Sequence, residues 1–236
     1  GPRRGAKGAF KMSELQGLKE RFAWYQDRLN DASGRFGGVT ICAATKTQSA
    51  ETVNAAYDAG VRVIGENRVQ ELLQKFPALN RDFSLHFIGQ LQLNKVKYLM
   101  DTVAMVQSVD RIELARAINA RALRDGRRMD VLVEVSIAGE ANKGGVPLES
   151  LDALLGEAYA MEGLRVRGLM AVMPACDQPA DIRGLFRKMR ALFERERDRG
   201  HALDCLSMGM SHDCLVAAQE GATMVRLGTA LFGARQ

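Results

Sequence analysis

The segment VTICAATKTQ, residues 39–48, determines how the rest of the chain is interpreted. The apolar residues from Val39 to Ala44 predict a short buried strand, and residues 49–58 predict a helix. Lys46 stands between them in a Thr-Lys-Thr turn, where α/β folds place active-site residues, just past the carboxyl end of a strand. A lysine amine can form an imine with an aldehyde. The alternative is a solvated lysine that merely follows the strand.

Seven further strand and helix units follow this first one, and a helix with one apolar face, residues 13–32, precedes it. The other predicted strands are 61–65, 84–89, 103–106, 130–136, a segment within 164–173, 203–206 and 223–227. Runs such as VLVEV and MVRL are apolar throughout, as strands covered by helices are. Eight such units in about two hundred residues favour a closed (β/α)8 TIM barrel over an open doubly wound sheet.

Composition and charge limit the classes of partner. The content of 47% hydrophobic and 26% charged residues is that of a soluble globular protein, and no apolar run reaches the length of a membrane span. Arg3, Arg4, Lys7 and Lys11 supply four of the net +5 charges, so the remainder is nearly neutral and indicates no nucleic-acid surface. We expect residues 1–11 to be a disordered basic tail and residues 12–236 to form one domain.

Cysteine and histidine spacing gives no sign of a metal site. Cys42, Cys176, Cys205 and Cys214 form no C-x-x-C pair, and the three histidines are widely spread. Buried, reduced thiols and a cytoplasmic location are therefore predicted.

Two glycine-bearing loops indicate a phosphate site. SMGMS, residues 207–211, follows the seventh predicted strand, and RLGT, residues 226–229, follows the eighth and leads into a helix. Such loops can offer backbone N–H groups to an anion, and barrels often hold phosphate at these two strand ends. The Gly-Thr helix start alone is weak evidence, because Thr is a common N-cap. Ring closure places both loops beside Lys46, which disfavours the alternative of a merely solvated lysine.

Motifs spread along the chain point to one family. They are AATKTQ (43–48), IGENRVQE (64–71), HFIGQLQLNK (86–95), EVSIAGEANKGG (134–145), RGLMAVMP (167–174), LSMGMSHD (206–213) and MVRLGTALFGAR (224–235). With these motifs the chain resembles the pyridoxal phosphate homeostasis proteins, small single-barrel proteins with the fold of the alanine racemase N-terminal domain. Members usually have Ser-Lys where this chain has Thr45-Lys46, and a smaller residue at Asn142; Lys143 and Gly145 match.

The resemblance implies a non-catalytic protein that carries or buffers pyridoxal 5'-phosphate through a Schiff base on Lys46 and takes part in vitamin B6 homeostasis. It also implies that Arg226 faces the pyridine nitrogen, that apo-enzymes of this cofactor are partners, and that the protein is a monomer. The candidate cofactor-binding residues are Lys46, Ala44, Asn67, Met170, Ser207, Gly209, Met210, Ser211, Arg226, Gly228 and Thr229.

Residue chemistry leaves alternatives for several of these positions. An arginine cannot accept a proton, so Arg226 opposite a ring nitrogen would keep that nitrogen unprotonated and weaken the ring as an electron sink; the alternative is a buried ion pair. Asn67 could hydrogen-bond the phenolic oxygen of the cofactor or cap the following helix. Met170 and Met173 are expected to line the ring pocket, and His86 to be a satisfied core histidine.

Two enzyme classes remain as alternatives. A racemase of the alanine racemase kind needs a base on each face of the substrate. Relatives that racemise take the second base from a tyrosine on an additional domain, whereas all four tyrosines here fall in predicted helices. A lysine-imine aldolase generally carries its lysine on a later strand. We therefore expect a carrier, with a racemase-like enzyme as the alternative.

Overall fold

The computed structural model describes residues 10–140 and 144–233. Its strands are β1 Thr40–Ala44, β2 Val63–Glu66, β3 Ser84–Phe87, β4 Met105–Val109, β5 Met129–Ser136, β6 Val146–Pro147, β7 Leu164–Ala171, β8 Cys205–Met208 and β9 Met224–Leu227. Its α-helices are α1 Met12–Ser33, α2 Ala50–Asp58, α3 Val69–Lys75, α4 Val96–Leu99, α5 Ile112–Arg124, α6 Leu148–Tyr159, α7 Arg183–Asp198, α8 Cys214–Gln219 and α9 Thr229–Phe232.

Eight of the strands form a closed parallel barrel. The order is β4-β3-β2-β1-β9-β8-β7-β5, and pairing of β4 with β5 closes the ring. The two-residue strand β6 pairs only with the end of β5 and lies outside the ring. The (β/α)8 prediction is therefore confirmed, and the seventh and eighth predicted strands are β8 and β9.

Alternation along the strands divides the core into two layers. Ala43, Ile64 and Val106 point outward and pack in the layer shared with the helices. The second layer fills the barrel and is built mainly from small or flexible side chains: Cys42, Ala44, Ile88, Met105, Leu132, Met170, Cys205 and Met224. At Gly168 even a methyl group is excluded, because an added Cβ would lie 1.6 Å from the carbonyl oxygen of Cys205.

Helix α1 completes the outer ring of helices. The last helix, α9, has only one turn, and α1 packs against α2, α8 and α9. Arg21 Nε donates to the Leu231 carbonyl at 2.7 Å, and Gln26 Nε2 donates to the Val39 carbonyl at 2.7 Å. The predicted extra N-terminal helix is thus a structural part of the barrel wall.

The structure also bears on the predictions for the N-terminal tail, the cysteines and membrane-spanning segments. Of the predicted tail 1–11, only Phe10 and Lys11 are described, and Phe10 is partly buried against the core. All four cysteines are free, and all except Cys176 are buried, as expected. Among the described helices, none is long and apolar enough to cross a bilayer.

Candidate functional site

The predicted site residues come together on one arc of the barrel. They lie on, or directly follow, five consecutive strands of the ring, β2, β1, β9, β8 and β7. Because these strands are parallel, the residues that follow them all emerge at the carboxyl-terminal rim. Lys46 and the two glycine loops therefore lie at the same rim, as the sequence predicts.

Lys46 lies at the mouth of the barrel. Cys42 and Ala44 face the interior, and the Thr45 N–H continues the β1 ladder by donating to the Gly65 carbonyl at 3.0 Å. Lys46 lies two residues beyond Ala44, in the turn that follows the strand. The lysine is partly buried, and within the described part of the chain no hydrogen bond or ion pair engages its amine. The amine is thus available to a ligand.

Three side chains, Thr45, Glu66 and Lys75, hold the turn that contains Lys46 in place. Lys75 Nζ donates to the Thr45 carbonyl and to Glu66 Oε1, both at 2.7 Å, and Thr45 Oγ1 donates to the same Glu66 oxygen at 2.7 Å. Glu66 is fully buried and Lys75 is 9% exposed. Burial raises the pKa of Glu66 above its ordinary value, although its hydrogen bonds from Lys75 and Thr45 oppose that rise. We call Thr45, Glu66 and Lys75 the turn clamp.

The residue after Lys46 is held in a strained conformation. Thr47 has a φ of 68°, and among the described residues it is the only non-glycine with positive φ. Such a conformation costs about 1–3 kcal/mol and persists only where the surroundings impose it. Here the Thr47 N–H donates to Glu71 Oε1 at 2.6 Å. Helix α3 therefore fixes the backbone on both sides of Lys46.

The two glycine loops are joined to each other and lie beside β1. The Ala230 N–H donates to Ser211 Oγ at 3.1 Å, and the Arg226 N–H donates to the Gly209 carbonyl at 2.9 Å. A methyl group at Gly228 would lie 3.6 Å from the Ala44 Cβ, so this glycine borders the lysine strand. The Met210 N–H already donates to Asp213 Oδ1 at 2.7 Å. The loops thus form one surface next to Lys46, with the Met210 and Ala230 amides engaged internally.

Arg226 is a buried cation held by neutral groups. It is 3% exposed, and its Nη1 and Nη2 donate to Ser207 Oγ at 2.6 Å and to the Ala171 carbonyl at 2.8 Å. No ion pair joins it to any described residue, so the ion-pair alternative is not supported. Burial raises the pKa of the neighbouring Cys42 to about 12, so that thiol stays neutral. Two of five N–H donors are used, which leaves others for a ligand.

Ser207 lies deeper than the sequence suggests. It is fully buried within β8, where its hydroxyl accepts from Arg226 and donates to Gln107 Oε1 at 2.7 Å. The structure therefore does not bring the Ser207 hydroxyl to the phosphate loops. Ser211 and Thr229, which are partly buried and exposed, are the hydroxyl residues at the rim.

Asn67 carries a buried polar atom that has no partner. Its Oδ1 accepts no hydrogen bond from the described residues, although the atom is inaccessible to solvent. Helix α3 has Arg68 as its N-cap, without a side-chain cap, so the capping alternative for Asn67 is not supported. A buried unpaired amide oxygen costs free energy unless a ligand supplies a donor. Asn67 is therefore available to a ligand at the end of β2.

The structure tests the expected roles of Met170, Met173 and His86. Met170 lies inside the barrel and is fully buried, whereas Met173 packs in the outer layer and does not line the interior. His86 is a satisfied core histidine, as predicted: Gln107 lies 2.8 Å from its Nδ1 and Ser84 3.2 Å from its Nε2. Burial, followed by the charge of Arg167, lowers the pKa of His86 to about 4.

Sequence reasoning did not identify Glu134. It faces the barrel interior beside Met170, is 4% exposed, and lies against the backbone of Gly144. Burial raises its pKa to about 7, Asp110 adds to the rise, and Arg226 opposes it. Asn142 and Lys143, two residues of the family motif that follows β5, lie outside the described residues.

Glu134→Gln is expected to stabilise the ligand-free protein at alkaline pH. The folded carboxyl has a pKa of about 7 against an ordinary 4.5, so its ionisation destabilises the fold as pH rises from 4.5 through 7. The amide removes this cost, which at pH 8 amounts to at most about 3 kcal/mol. Urea unfolding at pH 5 and pH 8 measures the effect, with exposed Glu149→Gln as the matched control. An equal difference from wild type at both pH values would contradict the assignment.

The fold and the rim together define a class of protein. The chain matches the family model described as alanine racemase, N-terminal domain, over residues 14–236. This class is a (β/α)8 barrel, here with a lysine after its first strand and glycine loops after its last two.

Comparison with individual proteins narrows the class. The chain is 46% identical over 223 residues to the pyridoxal phosphate homeostasis protein of Aquifex aeolicus, covering 92% of this chain and 98% of that relative. It is 33% identical to the protein of the same name from Escherichia coli, covering 94% and 98%. PipY of Synechococcus elongatus, solved with pyridoxal phosphate bound, is 32% identical with a TM-score of 0.82, covering 92% and 100%. The chain belongs to the pyridoxal phosphate homeostasis protein family, which confirms the resemblance found in the sequence.

Proposed function

We propose that this protein holds pyridoxal 5'-phosphate through a Schiff base with Lys46 and stores it or delivers it to apo-enzymes. The broader part of this statement rests on family membership: the chain is a pyridoxal phosphate-binding protein of vitamin B6 homeostasis, a carrier rather than an enzyme. The bound cofactor supplies an aldehyde that a lysine amine can capture reversibly.

The observation that carries the covalent part is the relation between Lys46 and Arg226. Their strands, β1 and β9, are neighbours in the ring, and Arg226 has spare donors and no anionic partner among the described residues. A buried guanidinium of this kind needs acceptors. The pyridine nitrogen of the cofactor is such an acceptor. In this arrangement the aldehyde of the cofactor would face the Lys46 amine.

Other residues present fit the remaining groups of the cofactor. The unpaired Asn67 amide suits the phenolic oxygen, since an Asn side chain can present either its carbonyl or its NH₂. The loops of Gly209, Met210 and Ser211 and of Gly228 and Thr229 would hold the phosphate. Ala44 and Met170 would bound the ring from the barrel side.

The same residues explain why a carrier is favoured over an enzyme. Arg226 can only donate, so it would keep a ring nitrogen unprotonated and limit carbanion chemistry. All four tyrosines lie in helices, Tyr25 in α1, Tyr57 in α2, Tyr98 in α4 and Tyr159 in α6, so none lies at a strand end near Lys46 where it could act as a second base. We also propose that the protein is a monomer and that it is located in the cytoplasm; the free cysteines favour the location.

A transfer experiment tests the proposed role. Cofactor-loaded protein is mixed with an apo-enzyme of pyridoxal phosphate in the presence of a scavenger that removes the free aldehyde. We expect enzyme activity to return despite the scavenger, and Lys46→Ala protein to restore none. Turnover of an amino acid by the loaded protein alone, in racemase and decarboxylase assays, would contradict the carrier function.

A further inference from the structure

A continuous chain of hydrogen bonds crosses the interior of the barrel beneath the rim. Arg226 donates to Ser207 at 2.6 Å, Ser207 donates to Gln107 at 2.7 Å, and the Gln107 amide nitrogen lies 2.8 Å from His86 Nδ1. Ser84 lies 3.2 Å from His86 Nε2 and ends the chain near the amino-terminal mouth. We call Ser207, Gln107 and His86 the interior relay; all three are buried.

With Gln107 Oε1 at Ser207 and its amide nitrogen at His86, the direction of every bond in this relay follows. A guanidinium has no acceptor, so Ser207 Oγ must accept from Arg226 and can direct its single hydrogen to Gln107 Oε1. The Gln107 amide nitrogen can only donate, so His86 Nδ1 must carry a lone pair. The ring hydrogen is then on Nε2, directed at Ser84. This requires a neutral imidazole, in agreement with the low pKa of about 4 for His86.

Gln107 is the residue on which this order depends. It lies on β4, on the other side of the barrel interior from β9, and is fully buried below the rim. Its Oε1 draws the Ser207 hydrogen away from Arg226. Without Gln107, the Ser207 hydroxyl hydrogen loses the acceptor it has in the structure, so the Ser207 rotamer, and with it the bond from Nη1, is no longer fixed. The second anchor, from Nη2 to the Ala171 carbonyl, does not by itself set the orientation of the guanidinium plane.

We propose that Gln107 is a positioning residue that acts through Ser207 to aim the free N–H donors of Arg226 at the ring nitrogen of the cofactor. The proposal rests on the proposed function, because it assumes that pyridoxal phosphate binds at Lys46. Gln107 would then influence the electronic state of the bound ring and the retention of the cofactor without touching it.

Spectra and binding of Gln107 variants test this role. We expect Gln107→Leu to shift the visible absorption band of the bound cofactor and to raise its Kd about tenfold, the size of one lost buried hydrogen bond. Gln107→Glu keeps an oxygen that accepts from Ser207 and should bind more tightly than Gln107→Leu. The control is Ser108→Ala on the same strand, because Ser108 is buried but its hydroxyl has no hydrogen-bond partner among the described residues. It should keep the wild-type band and Kd.

A second variant tests the same relay in case Gln107→Leu does not fold. Ser207→Ala breaks the relay next to Arg226 and should shift the band in the same direction as Gln107→Leu. If stably folded Gln107→Leu or Ser207→Ala protein keeps the wild-type band and Kd, Gln107 only fills the core and the inference is wrong. If the wild type binds the cofactor without using Lys46, the proposed function itself fails, and the Lys46→Ala spectrum distinguishes that outcome.

Discussion

Replacing Lys46 with alanine is expected to abolish the visible absorption of the cofactor-bound protein and to weaken cofactor binding at least about 100-fold. Lys46 is a partly buried lysine in the turn that directly follows β1, at the mouth of the barrel. A 100-fold loss is about 2.7 kcal/mol, which equals two or three hydrogen bonds of about 1 kcal/mol each, and a reversible covalent bond contributes more than that. Titration of each protein with pyridoxal phosphate, followed by absorbance, gives both quantities.

Two further variants test whether the effect requires the Lys46 amine itself, rather than a positive charge at that position or any exposed lysine. Lys46→Arg keeps the positive charge but cannot form an imine, so it should lose the band as completely as the alanine variant. Lys97→Ala removes an exposed lysine on α4 and should match wild type. A band of wild-type intensity in Lys46→Ala protein would show that another amine holds the cofactor.

Replacing Lys75 with methionine is expected to lower the free energy of unfolding by about 3–5 kcal/mol, the usual cost of removing one partner of a buried ion pair. The substitution leaves Glu66 fully buried with only Thr45 as donor and releases the Thr45 carbonyl. Because that carbonyl directly precedes Lys46, imine formation should also slow. Urea unfolding and stopped-flow absorbance measure the two effects.

The loss caused by Lys75→Met should depend on pH. Burial already raises the pKa of Glu66 above the ordinary 4.5, and removing Lys75 raises it further. A raised pKa means that the ionised form destabilises the fold, so the loss should be small at pH 5 and grow as the pH rises. The double variant Glu66→Gln/Lys75→Met removes the charge and should regain most of the stability at pH 8. An equal loss in the single and double variants would contradict the turn-clamp account.

Sequence predicted the fold well because the signals for it are local. Strand and helix alternation, apolar strands and the amphipathic first helix each lie within short windows, and every predicted barrel strand exists within a few residues of its expected bounds. The largest boundary difference is at β4, predicted to end at residue 106 and observed as Met105–Val109. The strand continues through Gln107 and Ser108, which are polar but fully buried.

The arc of the site was also predictable, because barrel topology fixes which strand ends are neighbours. Closure of the ring alone brings β1, the strand that precedes Lys46, beside Gly228. Depth was not predictable: Ser207 and Gly209 are close in sequence, but β8 extends to Met208, so the Ser207 hydroxyl lies inside the barrel while Gly209 is the first residue past the strand.

The supporting residues were missed because their roles depend on contacts between distant segments. Lys75 reaches Thr45 across 30 positions of sequence, and Gln107 reaches Ser207 across 100. One signal was present: Glu66 and Glu134 are charged residues inside otherwise apolar strands, as Arg226 is. Such a residue needs a partner or a function when it is buried.

The central claim is that the Lys46 amine itself bonds the cofactor aldehyde. Borohydride reduction of the loaded protein converts an imine into a stable amine, and peptide mass mapping then locates the modified residue. The account predicts one stoichiometric pyridoxyl phosphate group on the peptide that contains Lys46. Stoichiometric modification of any other lysine, with Lys46 unmodified, would contradict it.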